Sequence, residues 1–302
     1  MRLTQLDHFL AIVESGSIRE AARRVGLSQP ALTKSIRTLE TELQIQMMRR
    51  STRGIIPTPA GLAFAARARA VKAELRKARE EIAQLSGQAT GEVAFGVGQA
   101  SALSIAPGAI MRFRERWPAA RIRIIEGLPA TLLPLVREET LDFAVGARAD
   151  DLDASLAFRP LYRSARVIVG RKGHPLRQAR TLADLASAEW IAMPPLESIS
   201  GTLEQLFKGA GLATPPTIVR CDSYNTAAAL IAKSNMLALI SVRQLAAPYA
   251  SHNLEPISVR ESIPAFTVGM FTRADVPLGP AALAMARAFT AVARRLASAR
   301  EG

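Results

Sequence analysis

The sequence predicts an α/β protein in three parts: a winged helix-turn-helix over 1–58, a long helix over 59–90, and two α/β lobes over 91–302. Three observations carry that prediction. A capped, glycine-punctuated helix pair lies between Ser17 and Leu43, an apolar heptad runs from Phe64 to Leu85, and short apolar runs alternate with amphipathic segments from Glu92 onward.

The first helix is predicted over residues 3–15, where Leu6, Phe9, Leu10 and Val13 recur at helical spacing before Gly16. Ser17 with Glu20 then reads as a capping box, and Ile18, Ala21, Ala22 and Val25 give the second helix an apolar face. Gly26 offers a left-handed C-terminal turn, Leu27 is expected to tuck back, and Ser28 caps a third helix with Pro30 in its first turn. Leu32, Ile36, Leu39 and Leu43 form its buried stripe. Gln29, Thr33, Lys34, Arg37 and Thr41 fall on another, acid-free face whose donors suit phosphates or base edges. An ordinary helical hairpin with a solvated face is the alternative.

Beyond it, Met47 and Met48 are expected to fill the core, and Arg49, Arg50 and Arg53 cluster before Gly54. Ile55 and Ile56 then suggest the second strand of a hairpin wing, whose arginines would either be solvated or contact DNA phosphates or the minor groove. Thr58 and Pro59 signal a helix start. Phe64, Ala68, Val71, Leu75, Ala78, Ile82 and Leu85 follow with 4-3 spacing, the pattern of a coiled-coil seam, so this helix is expected to link and dimerise.

From EVAFGVG onward the order strand, helix, strand, helix, strand appears twice, which predicts open parallel sheets. The first lobe is placed at about 91–163 and 268–302 and the second at about 164–267. TLADLAS and RQLAAPY are expected as helices, and GPAALAMARAFTAVARRLA as the closing one. A cleft between such lobes is a place for a ligand.

Composition agrees. The 302 residues carry a net charge of +13, of which residues 1–90 hold +7 in under a third of the length. That balance favours a polyanionic partner. No signal peptide or membrane-spanning run is expected, and with the single cysteine, Cys221, no disulfide framework, so a cytoplasmic location is expected. His8, His174 and His252 show no metal-ligand spacing, no metal or cofactor is called for, and no catalytic residue is nominated. His8 reads as a surface or capping residue. Cys221 is read as a buried small residue sooner than as a thiol sensor.

The stretch LDHFLAIVESGSIREAARRVGLSQPALTKSIRTLETEL, followed by RRSTRGIIPTPAG, resembles the N-terminal region of LysR-type transcriptional regulators over roughly residues 3–62. AFGVGQAS, PGAIMRFRERWP, LDFAVGA, GRKGHPL and FKGAGLATPP are collinear with corresponding segments. The resemblance implies a periplasmic-binding-protein-like effector domain. It also implies a homodimer or homotetramer on a double-stranded DNA operator, a small-molecule effector that alters DNA geometry, and RNA polymerase as a further candidate partner. The chain departs from the family pattern at Gln44, where the family has glycine, and at Met47–Met48, where it has Leu-Phe. Lys233-Ser234-Asn235 stands in place of a glycine-rich turn.

The DNA-reading candidates are therefore Ser28, Gln29, Pro30, Thr33, Lys34, Arg37, Arg49, Arg50 and Arg53. Effector candidates are Ser101 after the first lobe's opening strand, Ser198, Ser200 and Thr202 after WIAMPP, and, more weakly, Asp222 and Ser223. Small hydroxylated residues at helix starts attract an organic acid, although each could equally be a plain cap. The competing function is a nicotinamide-nucleotide oxidoreductase or redox sensor. Gly96-x-Gly98 with Ser101 in the third glycine position, and Glu126 closing the next strand, imitates a dinucleotide fingerprint.

Overall fold

The computed structural model describes residues 1–51, 54–85, 90–149, 151–193, 196–246 and 253–298, with 84, 196–202, 218 and 298 described by backbone alone. The chain falls into two compact units, Met1–Ile82 with Glu138–Thr140, and Ala83–Arg137 with Leu141–Gly302.

The first unit opens with α1 (Leu3–Ser15), α2 (Ile18–Val25) and α3 (Gln29–Leu43), packed around Leu6, Phe9, Ile12, Ala21, Leu32 and Leu39. Gly16 and Gly26 take left-handed φ values of 64° and 71°, which a Cβ would strain. Ser17 caps α2 through the Glu20 amide at 3.4 Å, but the reciprocal half of the capping box is not made. The Glu20 carboxylate instead meets Arg23 Nη2 at 2.7 Å, a charge-assisted bond, and the Ser17 amide donates to Ser15 Oγ. The Leu27 amide closes the Gly26 turn on the Ala22 carbonyl at 2.9 Å, while its side chain stays exposed. Leu43 is also exposed, because the last turn of α3 runs past the core before Gln44 ends it in the left-handed region at φ 53°.

Glu40 reaches from α3 to accept the amides of Met47 (2.8 Å) and Met48 (3.0 Å), which fixes the entry to β1 (Met48–Ser51). Both methionines are buried as expected. β1 pairs antiparallel with β2 (Gly54–Pro57), Ser51 opposite Gly54, and makes the wing. Thr58 Oγ1 takes the Gly61 amide at 3.1 Å and caps α4 (Pro59–Leu85), whose 27 residues span about 40 Å. The Phe64 ring lies edge-on to Phe9 at 5.1 Å, so the start of the heptad seam belongs to the winged-helix core. Val71, Ile82 and Leu85 further along it are exposed.

The second unit holds two five-stranded sheets. The first lobe contributes β3 (Glu92–Val97), α5 (Gln99–Ser104), α6 (Ala106–Arg114), β4 (Arg121–Glu126), α7 (Pro129–Arg137), β5 (Phe143–Ala147) and β6 (Leu156–Ser164). The second contributes β7 (Arg166–Arg171), β8 (Trp190–Ala192), α8 (Leu196–Gly209), β9 (Thr217–Arg220), α9 (Tyr224–Ala232), β10 (Leu237–Ser241), α10 (Val242–Leu245) and β11 (Leu254–Ile257). The chain then returns to the first lobe with β12 (Phe266–Arg273) and α11 (Pro280–Ser298). The sheet orders are β4-β3-β5-β12-β6 and β11-β7-β10-β8-β9. Ser164, Phe266 and Thr267 thus pair in the first sheet, which puts the crossings at Ala165 and within 258–265.

The expected parallel pairing is present in both sheets, and each sheet also carries antiparallel strands. β3 pairs parallel with β4 and β5, and β8 with β9 and β10. β12 runs antiparallel to β5 and β6, and β7 to β10 and β11. TLADLAS forms only a 3-10 turn at Ala183–Leu185, and the Asp184 carboxylate reaches back to the Arg180 and Thr181 amides that precede it. Among the described residues RQLAAPY contributes to a helix over Val242–Leu245, and its last residues lie outside the described ones. The first core stacks Phe95 on Phe143 at 5.3 Å with Phe289 edge-on to both, and the second sets Trp190 edge-on to Phe207 at 5.8 Å. Buried His174 accepts the Leu176 amide at Nδ1 and faces the Asn235 carbonyl with Nε2 at 3.0 Å, a structural role.

Candidate DNA-reading face and interlobe cleft

Burial of Leu32, Ile36 and Leu39 on one side of α3 turns its other side to solvent. Gln29, Pro30, Thr33, Lys34 and Arg37 line one shallow surface groove there with Thr38 and Thr41. Thr33 Oγ1 donates to the Gln29 carbonyl at 2.9 Å, which leaves its lone pairs outward. The face is not free of acids: Glu42 lines the same groove, its carboxylate bonded to the Met1 amino group. Ser28 is spent as the cap of α3, taking the Ala31 amide at 3.3 Å. Arg49 and Arg50 are exposed on β1 and, as strand neighbours, point to opposite faces. Arg53 lies outside the described residues. His8 bridges α1 to α3 through Ser35 Oγ at 2.8 Å.

The cleft between the lobes holds a half-open cavity of about 80 Å³. Ser101 is 1% exposed and lines it, with its Oγ unpartnered among the described residues. Arg166, Ser241, Gln244 and Phe266, none of them nominated from the sequence, line the same space. Burial pulls the Arg166 guanidinium below its ordinary pKa, because it strips away the hydration that favours the charged form. Asp222 and Ser223 line a separate cavity of about 300 Å³ with Gln99, Glu126 and Tyr224. There the Ser223 hydroxyl is committed to the Thr226 amide as the cap of α9, and the Asp222 carbonyl accepts from Gln99 Nε2. Ser198, Ser200 and Thr202 lie on the backbone of α8, their side chains outside the described ones. Cys221 is half-buried, not buried, with Sγ 3.2 Å from the Ser223 carbonyl.

The glycines that imitated a dinucleotide fingerprint serve packing. A Cβ on Gly96 would come within 2.9 Å of Leu132 Cδ2, and one on Gly98 within 3.3 Å of Gly146 Cα.

Residues 3–62 match the family described as "Bacterial regulatory helix-turn-helix protein, lysR family", and residues 86–294 match the "LysR substrate binding domain". The chain belongs to the LysR family of transcriptional regulators. It is 28% identical to the regulator TdcA of Escherichia coli (strain K12) over 257 residues, 85% of this chain and 82% of that one. It is 31% identical to BudR of Raoultella terrigena over 212 residues, 69% and 73% of the two chains. Among solved structures, full-length CbnR with its target DNA aligns at TM-score 0.70 and 19% identity, covering 98% of this chain and 99% of that one. A full-length cysteine-to-aspartate variant of OxyR from Pseudomonas aeruginosa aligns at 0.72 and 22%, covering 97% of each. At those identities the two structures share the LysR fold with this chain. LysR relatives are regulators, not enzymes, so the oxidoreductase reading falls. Among the described residues no helix is long and apolar enough to cross a membrane, and no group of His, Cys, Asp or Glu could hold a metal.

Proposed function

We propose that this LysR regulator reads its operator with Gln29, Thr33, Lys34 and Arg37, and that Arg49, Arg50 and Arg53 hold the DNA backbone from the wing. The observation that carries the reading is the exposed donor face of α3, opposite the buried stripe of Leu32, Ile36 and Leu39. Ser28 and Pro30 set the angle at which that face is presented. The protein works in the cytoplasm as a homodimer or homotetramer joined along α4. A small organic acid held at Ser101, with the α8 residues Ser198, Ser200 and Thr202 on the facing lobe, changes DNA geometry and thereby contact with RNA polymerase. Asp222 and Ser223 would orient a hydroxyl from the adjoining cavity.

Footprinting and titration on the operator test the reading face. Gln29→Ala or Thr33→Ala should relax preference at one or two base pairs, costing ~1–3 kcal/mol each. Lys34→Ala should weaken all DNA alike and reduce the salt slope by about one. Unchanged footprint and affinity in the first two variants would overturn the assignment.

A further inference from the structure

The interlobe cavity contains a cation that no carboxylate among its described lining residues neutralises. Arg166 starts β7 one residue past the crossing at Ala165. Its Nη1 donates to the Pro264 carbonyl at 2.8 Å, and its Cζ lies 4.6 Å from the centroid of the Phe266 ring. Nε and Nη2 have no partner among the described residues. A guanidinium presents its donors as a planar fork matched to two oxygens.

Ser101 supplies the second half. Its hydroxyl is buried, opens on the same cavity and has no partner among the described residues, so a bound oxygen there satisfies a group that otherwise costs stability. The other walls are largely apolar: Met193, Leu239, Ile240, Phe266 and Val268. Size is the deciding quantity. The cavity's 80 Å³ is roughly half of the ~150 Å³ that accommodates benzene.

We propose that the ligand of this cleft is an aliphatic monocarboxylate of roughly two to four carbons, with Arg166 as its counter-ion. The carboxylate lies on the Nε–Nη2 edge of the fork, the Ser101 hydroxyl donates to it, and the short chain rests against the apolar walls. This rests on the organic-acid reading above and narrows it to acids that match the small space between the lobes in this structure.

Calorimetric titration of the full-length protein tests the inference, with acetate, propanoate, butanoate and lactate as probes and propanamide, benzoate and gluconate as comparisons. At least one short acid should bind saturably at millimolar concentration or below, about tenfold or more weakly in Arg166→Gln and with part of the loss recovered in Arg166→Lys. Ser101→Val, which fills the cavity, should abolish binding. If Arg166→Gln does not fold, Arg166→Lys and Ser101→Val decide. The inference is overturned if propanamide or benzoate binds as well as the short acids, if Arg166→Gln binds them undiminished, or if none of them binds. Benzoate or gluconate binding that Ser101→Val removes and Arg166→Gln spares would overturn it while leaving the organic-acid reading intact. Failure of every acid would overturn both.

Discussion

Placing a charge on the exposed half of the α4 heptad tests whether that stripe is an interface. Val71, Ile82 and Leu85 are 43%, 65% and 89% exposed, together about two whole side chains. At ~1.5–3 kcal/mol for a fully buried aliphatic side chain, their burial would contribute ~3–6 kcal/mol per protomer and ~6–12 per dimer. Association costs on the order of 4–15 kcal/mol, so the seam lies near balance and a single change should be visible. Ile82→Lys removes ~1–2 kcal/mol per protomer, or ~2–4 per dimer, before the cost of placing two ammonium groups in an apolar stripe. The dimer dissociation constant should therefore rise between about 30-fold and several hundred-fold. Sedimentation equilibrium of residues 1–90 measures this, because the winged helix brings its own core and caps to that fragment. Leu62 is 58% exposed on the same helix but off the seam, so Leu62→Lys is the matched control. Equal weakening by the two substitutions, or none by Ile82→Lys, would refute the seam.

Two further outcomes follow from local geometry. Gln44 occupies the left-handed region at φ 53°, so Gln44→Gly should stabilise the first unit by ~0.5–1 kcal/mol net of glycine's extra unfolded freedom. That should raise the thermal midpoint of residues 1–90 by a few degrees, and an unchanged or lower midpoint would show that the turn carries no strain. Asp184 takes the Arg180 and Thr181 amides at 2.8 and 2.9 Å, and these bonds hold its carboxyl below its ordinary value of 3.8. Its contribution is therefore fully present above that value and disappears as pH falls through the lower folded one. Asp184→Asn should lower stability at neutral pH and make no difference once both states are protonated, which acid titration of unfolding by circular dichroism would check. A deficit that persists at the acid end would point to lost geometry instead of charge.

What the sequence made legible was mostly local. Ser17, Gly26, Ser28 and Thr58 act within three or four residues of themselves, and each takes the cap or turn its residue type suits. Leu27 and Leu43 share the apolar periodicity of their neighbours yet stay exposed, because periodicity locates a face and not where the core ends. β6 escaped notice for a related reason. It is an edge strand carrying Pro160 beside a register shift, and its side chains alternate in exposure without an apolar run. Opposite it, a Cβ on Gly269 would fall 2.4 Å from Phe158 Cζ, a constraint set by a strand more than a hundred residues away in sequence. Ser101 was legible because it follows a strand, whereas Arg166 was not. The available signal was a lone cation at the head of the apolar run VIVG, and its meaning depends on the crossing at Ala165 and the return at Phe266. Asp222 and Ser223 were singled out, like Ser101, for following a strand, and the fold places them in a neighbouring cavity instead.

The contacts joining the lobes decide how much a small ligand can accomplish. Ser164 and Ser241 share a buried hydrogen bond of 2.8 Å, Arg243 lies 4.8 Å above the Tyr162 ring, Arg166 lies 4.6 Å above that of Phe266, and Gln99 reaches the Asp222 carbonyl. Each cation–π pair is worth ~0.5–2 kcal/mol and each hydrogen bond ~0.5–1.5 kcal/mol, so together they favour the closed lobes by a few kcal/mol. A ligand confined to the closed form adds ~2.7 kcal/mol at a hundred times its dissociation constant, a quantity of the same order. A weakly bound acid at Ser101 and Arg166 would therefore deepen a closure that these contacts already favour. In the proposed complex Arg166 would make the two effects add, because a carboxylate on Nε and Nη2 would leave Nη1 on the Pro264 carbonyl and the guanidinium over Phe266. The proposed ligand would therefore reinforce a contact that already joins the lobes, and would do so by neutralising a partly buried charge.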